Sequence, residues 1–231
     1  MREKKAGINF IDVGCADILI KPWRGRHYKD INFLLGFDVE GLKEYSRKLS
    51  SKYISHEICK KLVSDKTHNK MFIYNKRQVS SLFEVDQEIM KEYVRVFNTG
   101  KRKIRERERK FQLVEIKDVE CVRLDDEIER VGIDFDFVKI DTQGSEFQVL
   151  KSLGKYLDTQ IIGVQAELSF KPMYKNVVSY TGVDAYLREH DFYQVKKMGN
   201  SEWDCDFLYM RDDKSKKTKI KFIKKIYESM G

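Results

Sequence analysis

Prolines and cysteines are scarce in this sequence, and both shortages exclude classes of protein. Only two prolines occur, Pro22 and Pro172, and no stretch has the composition of a flexible linker. The four cysteines are widely spaced, with neither a CxxC pair nor a Cys/His cluster at zinc-ligand spacing. The sequence therefore predicts neither a disulfide scaffold nor a zinc domain, and we expect reduced thiols and a cytoplasmic location. We assign no metal ligands, because acids could hold a divalent ion but no spacing in the sequence requires one.

Long apolar stretches are missing as well. No apolar run approaches the length of about 20 residues that a membrane-spanning helix needs. The first ten residues, MREKKAGINF, are charged and lack the apolar region of a signal peptide. The sequence thus predicts neither a membrane span nor a secretion signal.

The chain length and the charge distribution suggest one α/β domain with a basic end. The 231 residues suit one large α/β domain over residues 1–211 and a basic, helical tail over residues 212–231. A net charge of +8 permits contact with nucleic acid, anionic lipid or phosphorylated substrates, without choosing among them. Much of the excess lies in Lys101–Lys110 and in the tail, so the remaining body is closer to neutral.

Short apolar runs alternate with helical patterns along the chain. The runs predict strands at Ile8–Val13, Ile31–Phe37, Ile54–Val63, Met71–Tyr74, Asp136–Ile140 and Ile161–Leu168, and a closing hairpin of Phe192–Lys196 with Asp206–Met210. Helical spacing predicts helices at Leu42–Ser55, Asp125–Val131, Glu146–Leu153 and Gly182–His190. Residues 85–118 favour no assignment. The alternation predicts an α/β fold with a doubly wound, mostly parallel, seven-stranded sheet that ends in a C-terminal antiparallel hairpin.

Acidic residues stand at the ends of four predicted strands, namely Asp12, Asp38, Asp141 and Glu167. Ligands of open α/β sheets bind outside the carboxyl ends of the strands. One acid at a strand end means little, but four on neighbouring parallel strands would converge on one crevice. We therefore expect the binding site there.

A set of ordered motifs resembles the FkbM family of S-adenosylmethionine-dependent methyltransferases. Phe137–Lys151, FVKIDTQGSEFQVLK, is similar to the KIDxxGxE signature of that family. Weaker matches follow the same order as in the family: FIDVG at Phe10–Gly14, GFDVE at Gly36–Glu40, Ser64-Asp65, Ser80-Ser81-Leu82, VRLDDEI at Val122–Ile128, ELSFKPMY at Glu167–Tyr174 and DFLYMR at Asp206–Arg211. The resemblance covers residues 8–211 and implies a Rossmann-like methyltransferase fold.

The resemblance implies S-adenosylmethionine as the cofactor, and its chemical groups suggest which residues hold it. Gly14 lets the backbone approach the ligand closely, and Asp12 is a candidate for the methionine ammonium. Asp38 follows Gly14 by 24 positions, near the interval at which an acid meets the ribose in related folds. Ser64 and Asp65, placed at the end of the third strand, are assigned to the adenine side. Asp12 and Asp38 could equally cap the helices that follow them.

Methyl transfer to oxygen also needs a general base within reach of the acceptor hydroxyl. Asp141 is the first candidate, with Glu146 and Glu167 as helpers. Glu146 could instead stabilise the first turn of its helix. We expect Lys139 on the opposite face of the strand from Asp141, in a structural ion pair.

Two basic segments allow further interpretations. In the tail, Ile220, Ile223, Ile226 and Tyr227 share one helical face among lysines, which suits weak contact with an anionic membrane. A docked or solvated terminal helix is the favoured alternative. Lys101–Lys110 could follow phosphates, although a solvated strand or helix explains its alternating charges better.

These observations favour an O-methyltransferase that acts on a hydroxyl of a glycan or another small metabolite. One alternative is an RNA methyltransferase, which the basic charge permits; the sequence lacks the aromatic, basic platform that binds single strands, so we do not expect nucleic acid as a partner. Another alternative is a non-catalytic scaffold that binds the cofactor and a partner. The loop after the first strand, Gly14-Cys15-Ala16-Asp17, has a single glycine, and this departure from the usual glycine-rich loop keeps that alternative open. Nothing in the residues indicates an oligomeric state.

Overall fold

A computed structural model describes residues 7–15, 21–24, 26–39, 42–52, 54–98 and 100–230. Within these residues the chain forms eleven strands: β1 (Ile8–Val13), β2 (Ile31–Asp38), β3 (Ser55–Lys60), β4 (Leu62–Val63), β5 (Lys70–Tyr74), β6 (Leu113–Asp118), β7 (Cys121–Val122), β8 (Phe137–Ile140), β9 (Gly163–Ser169), β10 (Phe192–Met198) and β11 (Asp204–Arg211). The same residues form eight α-helices: α1 (Leu42–Ser50), α2 (Gln87–Phe97), α3 (Lys101–Glu108), α4 (Leu124–Val131), α5 (Glu146–Ser152), α6 (Lys155–Thr159), α7 (Tyr180–Glu189) and α8 (Lys217–Glu228).

Seven of the strands form one sheet, in the order β10-β11-β9-β8-β1-β2-β3. Neighbours in this sheet are parallel except that β11 runs antiparallel to both β9 and β10. The predicted fold class and the closing hairpin are confirmed. Successive strands extend from β1 outward through β2 and β3, and the chain then returns to place β8 on the other side of β1. The order of connection therefore reverses between β1 and β8, which is where open α/β sheets bind their ligands.

Helices cover both faces of the sheet because its central strands are apolar on both sides. One face carries buried residues of α4, α5 and α7, such as Leu124, Val149 and Leu187. The other face carries α1 and α8, packed around the rings of Phe10 and Phe137. Parallel strands buried in this way appear in a sequence as continuous apolar runs, which explains why they were predictable.

Several predicted boundaries are wrong. The helix after β2 ends at Ser50, not Ser55, and β3 begins at Ser55. The single strand predicted over residues 54–63 is two strands: β3 pairs with β2 in the main sheet, whereas β4 pairs with β7 in a separate two-stranded sheet. Ser64 and Asp65 therefore follow β4, and they do not stand at the end of a strand of the main sheet.

The described residues between 64 and 120, which include the stretch that favoured no assignment, form a cover beside the sheet. β5 and β6 pair in a two-stranded sheet, and α2 begins where the Asp86 carboxylate accepts hydrogen bonds from Glu88 N and Ile89 N at 3.0 and 3.2 Å. Lys101–Lys110 is mostly the exposed helix α3, with no buried side chain between Lys101 and Glu108. The cover has its own apolar cluster, which includes Val85, Val94 and Tyr174.

The basic tail is a helix that packs on the sheet, as the favoured alternative predicted. Ile220, Ile223, Ile226 and Tyr227 are all buried, so the apolar face proposed for a membrane faces protein instead. Tyr227 accepts a hydrogen bond from Trp23 Nε1 at 2.9 Å and donates one to Gln165 of β9.

Lysines at the start of the tail neutralise a buried acid. Lys216 and Lys219 lie 3.0 and 2.6 Å from the carboxylate of Asp136, which is 1% exposed. Among the described residues, no helix combines the length and the apolar character needed to cross a bilayer.

The packing of α8 leads to a stability prediction. Replacing Ile223, which is 0% exposed, by alanine should lower the free energy of unfolding by about 2–5 kcal/mol, since it leaves a cavity between α8 and the sheet. Lys221→Ala, on the exposed side of the same helix, is the matched control and should change the stability by less than about 0.5 kcal/mol. Denaturant unfolding of both variants measures the difference, and equal, small effects would show that α8 is not part of the core.

Candidate functional site at the strand carboxyl ends

A cavity of about 700 Å³ lies over the carboxyl ends of β1, β2 and β8. Gly14, Asp38 and Asp141 contribute to its floor, and residues of the cover such as Met71, Ser81 and Lys117 contribute to the opposite wall. Its volume falls within the range of small-molecule sites. Three of the eight predicted site residues thus line one cavity. Another cavity of about 710 Å³, along the lysines of α8, contains none of them.

Gly14 fits tightly between both neighbours of β1. Its backbone has φ +80°, which favours glycine, and a Cβ at this position would lie 1.9 Å from the carbonyl oxygen of Asp141. Its N–H donates to the carbonyl of Phe37 at 2.9 Å. A side chain here would force β1 and β8 apart, so the glycine keeps the strand ends together. The rest of the predicted loop, Ala16-Asp17, lies outside the described residues.

Asp12 is buried beneath the cavity and does not line it. Its carboxylate is 2% exposed, lies 3.3 Å from Lys139 Nζ and accepts a hydrogen bond from the Tyr45 hydroxyl at 2.6 Å. The structure therefore places this acid in an internal ion pair and separates it from the predicted methionine site.

Lys139 connects three parts of the site. Its Nζ donates to the carbonyl of Gly14 at 3.1 Å and lies 3.7 Å from the carboxylate of Asp141, in addition to its pairing with Asp12. The expected ion pair of Lys139 is present. The expected face is wrong, because residues two apart in an extended segment share a face, and Lys139 and Asp141 therefore point to the same side. Burial alone would lower the pKa of Lys139, but Asp12 and Asp141 raise it above its usual value.

Asp38 ends β2 and faces the cavity. Its Oδ1 accepts a hydrogen bond from the N–H of Val39 at 2.6 Å, which fixes the carboxylate at the turn. A fixed carboxylate at this strand end can accept hydrogen bonds from a diol. Glu40, the last residue of the GFDVE motif, lies outside the described residues.

Gln143 joins the two other candidate acids. Its Nε2 donates to Asp141 Oδ1 at 3.3 Å and to Glu167 Oε2 at 3.4 Å. Its backbone adopts φ +57°, which is uncommon without glycine. Its carbonyl accepts a hydrogen bond from the Ser81 hydroxyl at 2.7 Å. Two strand ends and the cover therefore meet at one residue, with the side-chain amide bridging the acids and the backbone carbonyl accepting from the cover.

The environments of Asp141 and Glu167 differ. The side chain of Asp141 is 37% exposed and lines the cavity, whereas Glu167 stands behind Gln143, opposite Asp206 of β11. Burial, together with the negative charges of Asp141 and Asp204, raises the pKa of Glu167 to about 8. Glu167 is therefore mostly protonated at neutral pH. Of these two acids, Asp141 is the one that faces the cavity.

Glu146 orders the loop before α5, as the capping alternative predicted. Its Oε1 accepts hydrogen bonds from the N–H of Thr142 at 2.9 Å and of Gly144 at 3.1 Å. Burial raises the pKa of Glu146, while these hydrogen bonds oppose the rise. It does not line the cavity, so the structure gives it a positioning contact only.

Ser64 and Asp65 lie apart from the cavity. Ser64 is fully buried, and its N–H donates to the carbonyl of Val122 at 3.0 Å. Asp65 forms an ion pair of 2.8 Å with Lys151. Although burial alone would raise the pKa of Asp65, hydrogen bonds from Lys151 and Thr67 lower it to about 2. The carboxylate predicted to accept from adenine is thus already occupied.

Sequence patterns missed the roles of Gln143 and Ser81. Gln143 occupies a variable position of KIDxxGxE, so the motif itself gives it no role. Ser81 belongs to a short family motif, but its hydrogen bond spans 62 positions. Among the described residues, no group of three or more His, Cys, Asp or Glu side chains is arranged to hold a metal ion.

The chain is similar to a known protein family and to solved structures. The family model described as "Methyltransferase FkbM domain" matches residues 37–193. Magnesium protoporphyrin IX methyltransferase from Synechocystis PCC 6803, solved with SAM bound, has a TM-score of 0.43 at 8% identity over 89% of this chain and 71% of its own. The N-terminal domain of EvdMO1, solved with SAH bound, has a TM-score of 0.37 at 9% identity over 89% and 75%. No curated protein matches significantly.

The raised pKa of Glu167 predicts a pH-dependent stability. The pKa of this carboxyl lies at about 8 in the folded state and near 4.5 in the unfolded chain. The stability that the protonated carboxyl contributes to the folded state is therefore fully present below pH 4.5 and is lost as the pH rises through 8. Glu167→Gln mimics the protonated form. We expect its Tm to be close to that of the parent at pH 5 and several degrees higher at pH 8.5.

Thermal unfolding at both pH values measures this difference. Glu120→Gln, at an exposed position, is the control and should show no pH-dependent gain. A Glu167→Gln variant less stable than the parent at pH 8.5 would contradict the protonated assignment.

Proposed function

The chain belongs to the FkbM family of S-adenosylmethionine-dependent methyltransferases, and we propose that it methylates a hydroxyl oxygen of a glycan or small metabolite in the cavity over β1, β2 and β8. One observation carries this proposal. Asp38 and Asp141 line the same cavity on either side of Gly14, so one acid is available for the cofactor and the other for the acceptor.

The residues present suit the cofactor. The cavity is large enough for a nucleoside-sized ligand, and Asp38 offers the two oxygens that a ribose diol requires. Hydrogen bonds to a charged acceptor are the stronger kind. We assign Asp38 to the ribose and the Gly14 turn to the methionyl side. When bound, S-adenosylmethionine supplies a methyl group on a positively charged sulfur.

Asp141 is the proposed general base. Its carboxylate is at the end of β8, next to the point where the strand order reverses, and it faces the cavity. An acceptor hydroxyl that hydrogen-bonds to Asp141 is oriented for attack, and its proton passes to the carboxylate. The carbon–sulfur bond of the cofactor would break as the carbon–oxygen bond forms, and the sulfur would leave as a neutral thioether. Gln143 holds the carboxylate in place, and the nearby Lys139 ammonium stabilises its negative charge.

Glu167 and Glu146 take supporting roles in this proposal. Glu167, protonated at neutral pH, adds no second negative charge beside Asp141. Glu146 fixes the turn that carries Gln143. Two linked carboxyl groups in unlike environments, one protonated and the other facing the cavity, are a common way to divide acid and base roles.

Replacing Asp141 by asparagine tests the proposal. The amide keeps the shape but cannot take the proton, so the rate of labelled methyl transfer into an extract of glycans and small metabolites should fall by about 10²–10⁴-fold. Affinity for S-adenosylhomocysteine, measured by calorimetry, should stay within a few fold.

Asp118→Asn, at an exposed position of β6, serves as the control and should keep the parent rate. A folded Asp141→Asn protein that binds cofactor and turns over at nearly the parent rate would show that another group is the base, and Glu167 would be tested next.

A further inference from the structure

The cover has an open strand edge that carries apolar side chains. β6 pairs with β5, and within the described part of the chain no other strand or isolated bridge meets it. Three of the five exposed large apolar side chains of the described residues, Leu113, Val114 and Ile116, lie on β6, and the strand contains no proline. Proteins usually protect open edges because an exposed edge pairs readily with a strand of another chain.

The main chain at the centre of β6 points outward at this edge. Phe72 of β5 donates a hydrogen bond to Ser81 O at 2.8 Å and accepts one from Ser81 N at 3.1 Å, so its N–H and C=O face away from β6. Phe72 stands directly opposite Ile116. In an antiparallel pair, two opposite residues either bond each other or both turn their main-chain groups outward. The N–H and C=O of Ile116 therefore face the open edge.

The residues around Ile116 are complementary in charge to their own reversed order. Glu115 precedes Ile116 and Lys117 follows it, and all three side chains are exposed. When two β6 strands pair antiparallel about a two-fold axis at Ile116, each Ile116 exchanges both main-chain hydrogen bonds with its copy. Each Glu115 then stands opposite a Lys117, so the pairing forms two cross-strand ion pairs.

The neighbouring registers lack this match. Bonded pairs need residues whose main-chain groups face the open edge, and these residues alternate along the strand, so one copy slides past the other in steps of two. A step in one direction places Glu115 opposite Glu115, and a step in the other direction places Lys117 opposite Lys117. Like charges directly opposite each other destabilise a strand pair. The charges of β6 therefore select the register centred on Ile116.

The same register completes an apolar row across the paired strands. Directly opposite residues lie on one face of a sheet, so Phe72 and Ile116 of one copy align with Ile116 and Phe72 of the other. A two-stranded ribbon is marginally stable by itself, and further strands that share an apolar face stabilise it. The exposed side chain of Ile116 is thus covered by its own copy.

We propose that this chain forms a two-fold dimer in which β6 pairs antiparallel with β6 of a second copy, centred on Ile116, with Glu115 of each copy against Lys117 of the other. A two-fold contact uses the same surface on both copies, so association ends at the dimer. Lys117 also lines the cavity that Asp141 lines, so Glu115 of the second copy lies at the rim of that cavity. The proposal does not depend on the proposed methyl acceptor, because it rests on the cover alone.

Charge reversal on β6 tests both the dimer and its register. Sedimentation velocity of the full chain over a range of concentrations should detect a monomer–dimer equilibrium. Glu115→Lys and Lys117→Glu each place like charges opposite each other at two positions, so each variant should dimerise at least tenfold more weakly. The controls Glu202→Lys and Lys101→Glu make the same charge changes at exposed positions outside β6 and should dimerise like the parent.

Mixing the two reversal variants separates a lost interface from lost folding. In a mixed dimer of Glu115→Lys with Lys117→Glu, the two new charges face each other with opposite signs, and so do the two retained charges. An equimolar mixture should therefore associate with nearly the parent affinity, although neither variant associates well alone. The double variant Glu115→Lys/Lys117→Glu should regain self-association for the same reason.

Three results would overturn the proposal. The first is a parent protein that stays monomeric at every concentration measured, which would leave the edge of β6 to a different partner. The second is a dimer that neither reversal weakens, which would place the interface elsewhere on the chain. The third is a mixture of the two reversal variants that associates no better than either variant alone, which would exclude the register centred on Ile116.

Discussion

The buried ammonium group of Lys139 is the interaction on which the site depends. Its side chain is 5% exposed, and its charge is balanced by Asp12 at 3.3 Å and Asp141 at 3.7 Å. A charge taken out of water is costly unless it is paired and hydrogen-bonded, and removal of one partner leaves the others buried without compensation. Because Asp12 is on β1, Lys139 is on β8 and its third partner is the Gly14 carbonyl, the pairing joins the strand ends where the order of the sheet reverses.

The roles of the surrounding acids follow from that pairing. Asp12 is neutralised inside the protein and has no part in the cavity. Asp141 lies close enough to Lys139 to benefit from its charge, yet it remains open to a ligand. No cation of the described residues pairs with Glu167, and burial beside Asp141 raises its pKa to about 8. Gln143 bridges these unlike carboxyl groups, so the cavity presents one base rather than two repelling charges.

The sheet could be predicted from the sequence because buried parallel strands are local apolar runs, but the cover could not. β6 is exposed along its whole length and α3 has no buried side chain, so neither shows an apolar period. Asp65 looked like a ligand because its partner, Lys151, is 86 positions away. The ion pair of Asp12 could not be predicted for the same reason, because its partner, Lys139, lies on another strand. Gly14, Asp38 and Asp141 line one cavity, and they could be brought together from the sequence because each stands at a local strand end.

The central claim is that the carboxyl ends of β1, β2 and β8 form the cofactor site, with Asp38 at the ribose. Titration calorimetry with S-adenosylhomocysteine tests it most directly. Asp38→Ala should weaken binding by about 2 kcal/mol, or roughly 30-fold, as expected for the loss of hydrogen bonds to a charged group. Asp65→Ala, which removes the acid paired with Lys151 outside the cavity, should leave the affinity within about threefold while the protein stays folded. Unchanged affinity in Asp38→Ala, or an equal loss in Asp65→Ala, would contradict this assignment.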